Sequence, residues 1–106
     1  MINNKICGLL GLARRAGKLS FGTESCIQEI EKNKIKLIII AINAAERTKM
    51  NFKNICNNKK IPIFAILNID EISKAIGQSN KAVVGIKDIN FSKEIIKIIN
   101  GGEAIG

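Results

Sequence analysis

Apolar residues recur along this chain with two different spacings, and these spacings alternate from one segment to the next. Segments with an apolar residue at every third or fourth position predict helices over about 3–16, 23–33 and 91–100. Continuous β-branched and apolar runs predict buried strands at Leu37–Ala41, Ile61–Leu67 and Lys81–Ile86. The segment Lys18–Phe21 is too short for more than a brief extended stretch.

Two Asn residues mark the predicted starts of further helices. Asn43 and Asn68 each stand three residues before a glutamate, Glu46 and Glu71 respectively, which is the spacing of a capping box. The first pair predicts the start of a third helix. The second pair predicts a short fourth helix that ends at Gly77.

Strands that alternate with helices predict βαβ crossovers and helices on both faces of one sheet. We therefore expect an α/β fold, a three-layer α/β/α sandwich with a small mixed sheet, formed by residues 1–106 as a single domain. In such folds the helix N-termini gather at the carboxyl edge of the strands, and this favours ligand binding at that edge.

The charge balance indicates the class of partner. The 17 Lys and Arg residues outnumber the 9 Asp and Glu residues, so the net charge of +8 favours a polyanion, either nucleic acid or an acidic membrane surface. The apolar runs fall far short of the ~20 residues that span a bilayer, and no secretory signal pattern is present. Three widely spaced cysteines without a CxxC pair predict reduced, mostly buried thiols. We expect a cytoplasmic protein that does not enter a membrane.

Catalysis has little support in this sequence. There is no histidine, so the commonest general base and the commonest metal ligand are both missing. The glycine-rich phosphate motifs GxxxxGK[ST] and GxGxxG are absent as well. We expect a non-enzymatic binding protein with no catalytic residue, metal or cofactor, and an enzyme based on Lys or Asp stays open as an alternative.

The stretch from Gly22 to Ala41, GTESCIQEIEKNKIKLIIIA, combines a loop, a helix start and a buried strand. A helix N-terminus carries free backbone amides and a partial positive charge, so anions such as phosphate bind there. Gly22 has no Cβ and would let a ligand approach that end closely. The alternative is an ordinary surface helix that happens to begin at a glycine.

That stretch, together with AIGQSNKAVVGIKD, resembles the kink-turn RNA-binding ribosomal protein family. The opening LLGLARRAGKLSFG and the ending VVGIKDINFSKEIIKII look like its small bacterial, YlxQ-like branch. The resemblance implies an α/β/α sandwich that binds RNA through the N-terminus of the second helix and the loop before the last strand, Gln78–Val83. In that loop it implies an apolar contact from Val83 with a flipped-out base and a polar contact from Asn80.

On this basis we expect Gly22–Gln28 to contact bases and sugars, and four lysines to contact phosphates. The expected RNA-binding residues are Lys18, Gly22, Thr23, Glu24, Ser25, Gln28, Lys32, Lys36, Asn80, Lys81 and Val83. Arg14 and Arg15 are weaker candidates, because cations at the end of the first helix also stabilise its dipole.

Four of these positions depart from the family pattern. Glu24 replaces an asparagine, Ser25 a glutamate, Gln28 a lysine, and Asn80 an arginine that many relatives carry. We expect a non-enzymatic protein that binds structured RNA, with ribosomal RNA as one candidate. The alternative, favoured by Glu24 and Gln28, is a protein-interaction module of the translation machinery with weakened RNA affinity. The sequence gives no indication of the oligomeric state.

Overall fold

A computed structural model describes residues 2–101 of this protein, and the predicted order of elements is confirmed within them. The predicted single domain also includes residues 1 and 102–106, which lie outside the described residues. Five helices alternate with four strands, the first of which occupies the brief extended segment before the second helix. The elements are α1 (Ile2–Arg15), β1 (Leu19–Phe21), α2 (Thr23–Glu31), β2 (Leu37–Ile40), α3 (Glu46–Lys59), β3 (Ile63–Ala65), α4 (Ile69–Ala75), β4 (Val83–Ile86) and α5 (Ile89–Ile99).

The two later strands are shorter than predicted, and backbone chemistry explains where they stop. Pro62, just before β3, has no N–H to donate to a ladder, and Leu67 after it has a left-handed φ of 64°. Before β4, the amide of Lys81 donates to the hydroxyl of Ser73 at 2.7 Å instead of to a neighbouring strand. An apolar run therefore overestimates the length of a strand when its ends bond elsewhere.

The sheet is mixed, as predicted, and its strand order is β1-β4-β2-β3. β2 and β3 are parallel and are joined through α3, so only this pair forms the predicted crossover unit. β4 runs antiparallel to both of its neighbours, with Val84 opposite Phe21 on one side and Ile39 on the other. The helices lie on both faces of this sheet and complete the three-layer sandwich.

The direction of β4 decides which helices begin at the same edge. Since β1, β2 and β3 all end at one edge of the sheet, α2, α3 and α4 begin there. β4 begins at that edge and ends at the opposite one, so α5 starts on the other side. The predicted gathering of helix N-termini at one edge therefore holds for α2, α3 and α4 but not for α5.

The two central strands form the core of the sheet. All residues of β2 and β4 are buried, which is why β2 has an unbroken apolar sequence. Gly85 in β4 allows close packing on this sheet, because a Cβ there would lie 2.7 Å from Cδ1 of Ile35 and 3.5 Å from Sγ of Cys26. α2 therefore sits directly on β4, and the position of its N-terminus is fixed by the core.

The predicted caps had different outcomes. The capping box of α4 is confirmed: Asn68 Oδ1 accepts from the amide of Glu71 at 2.8 Å, and Glu71 Oε1 accepts from the amide of Asn68 at 2.9 Å. The predicted cap of α3 is wrong, because α3 has Ala45 at its N-cap and no side-chain cap. Asn43 instead accepts from the amide of Ile69, at 2.9 Å, and so tethers the loop after β2 to the start of α4.

The cysteines behave as packing residues, as predicted. Cys26 and Cys56 have no exposed surface, Cys7 is half-buried, and all three are free thiols. Burial raises the pKa of the Cys26 thiol to about 12 and that of the Cys56 thiol to about 11. Because the thiolate is the nucleophilic form, these two cysteines are unsuited to covalent catalysis.

Candidate nucleic-acid interface

Gly22 joins strand β1 to α2 in a conformation that only glycine adopts easily. Its φ of 90° and ψ of 155° would strain any residue with a Cβ. Its amide donates to the carbonyl of Val83 at 2.9 Å, and its own carbonyl accepts from the amide of Cys26 at 3.1 Å. The start of α2 is therefore fixed against the start of β4. We call this side of the sheet, where β1 ends and β4 begins, the Gly22 edge.

The first amides of α2 are free for a ligand. Gly22 has no side chain to cap the helix, and the amides of residues 23–25 have no acceptor among the described residues. By contrast, α4 and α5 use the side chains of Asn68 and Asp88 to accept an amide in their first turn. About half a positive charge at this N-terminus adds to the three exposed donors, which suits phosphate or carbonyl oxygens.

The loop before β4 brings a cation to the same place. Ser73 holds this loop in place through two hydrogen bonds to the backbone of Lys81. The hydroxyl oxygen of Ser73 accepts from the amide of Lys81 at 2.7 Å, and the hydroxyl donates to the carbonyl of Lys81 at 3.3 Å. The Nζ atom of Lys81 lies 3.9 Å from the point where a Cβ on Gly22 would stand. Asn80, beside it, is exposed and has a left-handed φ of 52°. The loop and the helix start therefore form one surface.

An aromatic ring orients this cation. Nζ of Lys81 lies 5.7 Å from the ring centroid of Phe21, and Cζ of Arg14 lies 5.2 Å from the same centroid. Arg14 also donates from Nη1 to the carbonyl of Ile76 at 2.9 Å, at the C-terminus of α4. The contacts of Arg14 are thus structural, whereas Lys81 has no carboxylate partner among residues 2–101.

A groove runs from this surface along α2. It is a cavity of about 250 Å³ between α2 and β1, lined by Phe21, Ser25, Gln28 and Glu29 among others. Ser25 and Gln28 are exposed and can both donate and accept hydrogen bonds. These two side chains therefore continue the polar surface beyond the helix start.

The predicted site residues fall into two groups at opposite edges of the sheet. The members near the start of α2 and the loop before β4 lie at the Gly22 edge, with Gln28 in the adjoining groove; they are Gly22, Thr23, Glu24, Ser25, Asn80 and Lys81. The other three lysines lie at the opposite edge, where β2 begins and β4 ends; they are Lys18, Lys32 and Lys36. We call that side the lysine edge.

Lys32 differs most from its predicted position. It is the C-cap of α2, at the far end of the helix from Gly22. Its side chain is 62% exposed, and its Nζ lies 3.7 Å from a carboxylate oxygen of Glu29. The same carboxylate lies 3.4 Å from Nζ of Lys87. Lys32 lies about 13 Å along the helix axis from the first amides of α2, because each of the nine helical residues adds about 1.5 Å.

The predicted apolar contact from Val83 needs correction. The side chain of Val83 has 0% exposure, because it belongs to the fully buried strand β4, and only its carbonyl takes part in this edge. At the Gly22 edge, the side chain of Ile42 is apolar and 55% exposed. Ile42 directly follows Ala41, whose amide donates to the carbonyl of Ala82. The sequence signal for Ile42 was that its apolar run continues beyond the end of the strand.

Residues 2–101 support neither a membrane-spanning helix nor a metal site. No helix in that range is long and apolar enough to cross a bilayer. The same range has no cluster of three or more His, Cys, Asp or Glu side chains that would suit a metal ion.

Comparison with known proteins gives a consistent picture. The sequence model of the ribosomal protein L7Ae/L30e/S12e/Gadd45 family matches residues 4–96. The RNA-binding protein YlxQ of Enterococcus faecium is 38% identical over 97 residues, which are 92% of this chain and 93% of that protein. The large ribosomal subunit protein eL8 of Thermoplasma volcanium is 29% identical over 92% of this chain and 82% of its own length. A Bacillus halodurans protein of unknown function, with a solved structure, has a TM-score of 0.87 and 31% identity, covering 91% of this chain and 97% of its own.

The contacts of Arg14 lead to a prediction about stability. Arg14→Gln removes a hydrogen bond to a helix C-terminus and a cation–π contact, so we expect the free energy of unfolding to fall by about 1–2 kcal/mol. Arg15→Gln, which removes the same charge next to it but no such contact, should change it by less than about 0.5 kcal/mol. Urea denaturation of both variants measures the difference. Equal values would show that the contacts of Arg14 contribute nothing beyond its charge.

Proposed function

Because this chain belongs to the ribosomal protein L7Ae/L30e/S12e/Gadd45 family, we propose that it is a non-enzymatic RNA-binding protein. The observation that carries the proposal is the start of α2, where, among residues 2–101, the amides of residues 23–25 have no acceptor and the nearby ammonium of Lys81 has no carboxylate partner. The names of the Enterococcus and Thermoplasma relatives, an RNA-binding protein and a ribosomal protein, support it. The proposed setting is the cytoplasm, and the proposed ligand is structured RNA, with ribosomal RNA as one candidate.

The Gly22 edge would divide its contacts between positioning and base recognition. The amides of residues 23–25 and the ammonium of Lys81 donate to phosphate oxygens or to base carbonyls, and Ser25 and Gln28 bond to base edges or sugars through the groove. Ile42 offers an apolar surface to an unstacked base, and Asn80 a polar one. Splayed bases fit such a surface, whereas the A-form duplex offers mainly phosphates and 2′-hydroxyls. We therefore propose a preference for an internal loop of the kink-turn type.

The lysines at the opposite edge would contribute differently. Lys18, Lys32 and Lys36 are proposed to contact phosphates of an RNA segment other than the one at the Gly22 edge, because they lie at the opposite edge of the sheet. Lys32 should contribute less than Lys81, since the carboxylate of Glu29 offsets part of its charge.

Glu24 is the residue that favours the second candidate function. Its carboxylate stabilises the α2 dipole but adds a negative charge where an incoming phosphate would approach. A protein-interaction module with weakened RNA affinity would explain this charge. The effect of neutralising Glu24 on RNA affinity distinguishes the two candidate functions.

The proposed preference is tested with two RNAs of equal length, a kink-turn hairpin and a fully paired duplex. We expect the wild-type protein to bind the hairpin more tightly, on the order of tenfold. Lys81→Gln should weaken hairpin binding and flatten the slope of log affinity against log salt by about 1, because one phosphate contact is lost. Fluorescence anisotropy over a salt series measures both quantities.

The matched control is Lys97→Gln, an exposed lysine in the last turn of α5. If RNA binds only at the start of α2 and the loop before β4, its removal should leave the slope nearly unchanged, because Lys97 belongs to neither segment. Equal effects of the two substitutions on hairpin binding would contradict a specific Gly22 edge and indicate diffuse binding by the net charge of +8. Equal affinity for the two RNAs would contradict the proposed preference for an internal loop.

Neutralising Glu24 gives a prediction in the opposite direction. If RNA binds at the start of α2, Glu24→Gln should raise hairpin affinity by about threefold, because a repulsive charge beside phosphate is removed. Glu94→Gln, which removes an exposed carboxylate of α5, should raise it much less. No increase for Glu24→Gln over Glu94→Gln would show that RNA does not bind at the start of α2, and would favour the protein-interaction module.

A further inference from the structure

The lysine edge contains more cations than the three that sequence reasoning placed in the RNA site. The amide of Lys36 donates to the carbonyl of Ile86 at 2.7 Å, and the amide of Lys87 donates to the carbonyl of Lys18 at 2.8 Å. Three strands thus bring Lys18, Lys36 and Lys87 side by side. The long separation of these residues in the sequence hid this grouping.

The same edge continues onto α3. A cavity of about 240 Å³ is lined by Lys36, Lys59 and Lys60 together with Asn33, Pro62 and Ile89 among others. Lys59 is the last residue of α3 and Lys60 is its C-cap, and both reach this position because the chain turns there into β3, which lies parallel to β2. Lys34 is exposed in the turn between α2 and β2. The lysine edge is therefore a recessed surface shared by α2, α3 and the sheet.

The positive charge of this edge exceeds the negative charge of the carboxylates and helix C-termini near it. With Lys32 it has seven lysines, and the carboxylates on the same side are Glu29, Glu31 and Asp88. The excess is four positive charges, whereas the C-termini of α2 and α3 together supply only about one negative charge. Among the described residues, five of these lysines have no carboxylate partner; they are Lys18, Lys34, Lys36, Lys59 and Lys60.

The two edges are far enough apart to act separately. Lys81 and Lys87 flank β4, and six residues of extended chain span roughly 20 Å, which is more than twice the Debye length of ~8 Å. A phosphate bound at one edge therefore has little influence on the charge of the other edge.

We propose that the lysine edge is a second nucleic-acid surface, which takes the phosphate backbone of an RNA duplex while the Gly22 edge holds a different segment. Lysines attract phosphates as point charges without reading bases, and a duplex presents two lines of phosphates to a recessed surface. One molecule then joins two RNA segments. This goes beyond the proposed function, since duplex binding at the lysine edge does not require the Gly22 edge.

The test uses a fluorescent, fully paired RNA duplex and an unlabelled kink-turn hairpin. The duplex is titrated, over a salt series, into the free protein and into the protein mixed with one equivalent of hairpin, which fills the tighter site without an excess of paired stems that would occupy the lysine edge. We expect the same duplex affinity in both titrations. Lys59→Gln combined with Lys60→Asn should weaken duplex binding and flatten its salt slope by about 2, with hairpin affinity unchanged. Asn is chosen because Lys60 has a left-handed φ of 60°.

The matched control removes two lysines elsewhere, Lys74→Gln with Lys97→Gln, which should leave the duplex slope unchanged. Lys34→Gln is a second variant of the lysine edge, in case the first fails to fold, and should flatten the duplex slope by about 1 with hairpin affinity unchanged. Displacement of the duplex by the hairpin, or equal losses in edge and control variants, would overturn the proposal. So would binding to vesicles containing phosphatidylserine but not to the duplex. Absent hairpin binding would contradict the proposed function alone, because the free protein reports on the duplex independently.

Discussion

The hydrogen bond between the amide of Gly22 and the carbonyl of Val83, 2.9 Å long, is the contact on which the candidate site depends. It makes the end of β1 and the start of β4 neighbours, and the φ of 90° at Gly22 then lets the chain turn at once into α2. The free amides of α2 and the loop that carries Lys81 are adjacent for this reason. A residue with a Cβ at this position would strain the backbone and also extend toward Lys81.

The antiparallel direction of β4 has an equally wide effect on the charges. Because β4 begins at the Gly22 edge and ends at the opposite one, Lys81 and Lys87 lie on opposite sides of the molecule although only five residues lie between them. The Gly22 edge thus combines the first amides of α2 with Lys81, and the lysine edge groups seven lysines. The first has hydrogen-bonding groups that can recognise bases, whereas the second presents only point charges.

Sequence reasoning predicted the layers, the mixed sheet and all five helices, since apolar spacing directly reports which face of an element is buried. It failed where an outcome depended on a distant partner. Asn43 and Asn68 have the same local pattern, yet Asn43 bonds to Ile69, 26 positions along the chain, instead of capping its own helix. Val83 matched a family contact by position, but the pairing of β4 between two strands buries its side chain. The grouping of lysines from four separate segments likewise follows only from the fold.

The central claim is that RNA binds at the start of α2 beside the loop before β4. A ¹H–¹⁵N NMR titration with a kink-turn hairpin tests it most directly, because it reports on each backbone amide. We predict the largest shifts at Thr23, Glu24 and Ser25, with further shifts at Asn80 and Lys81. The account would be contradicted if these amides did not shift and the largest shifts appeared in other parts of the protein.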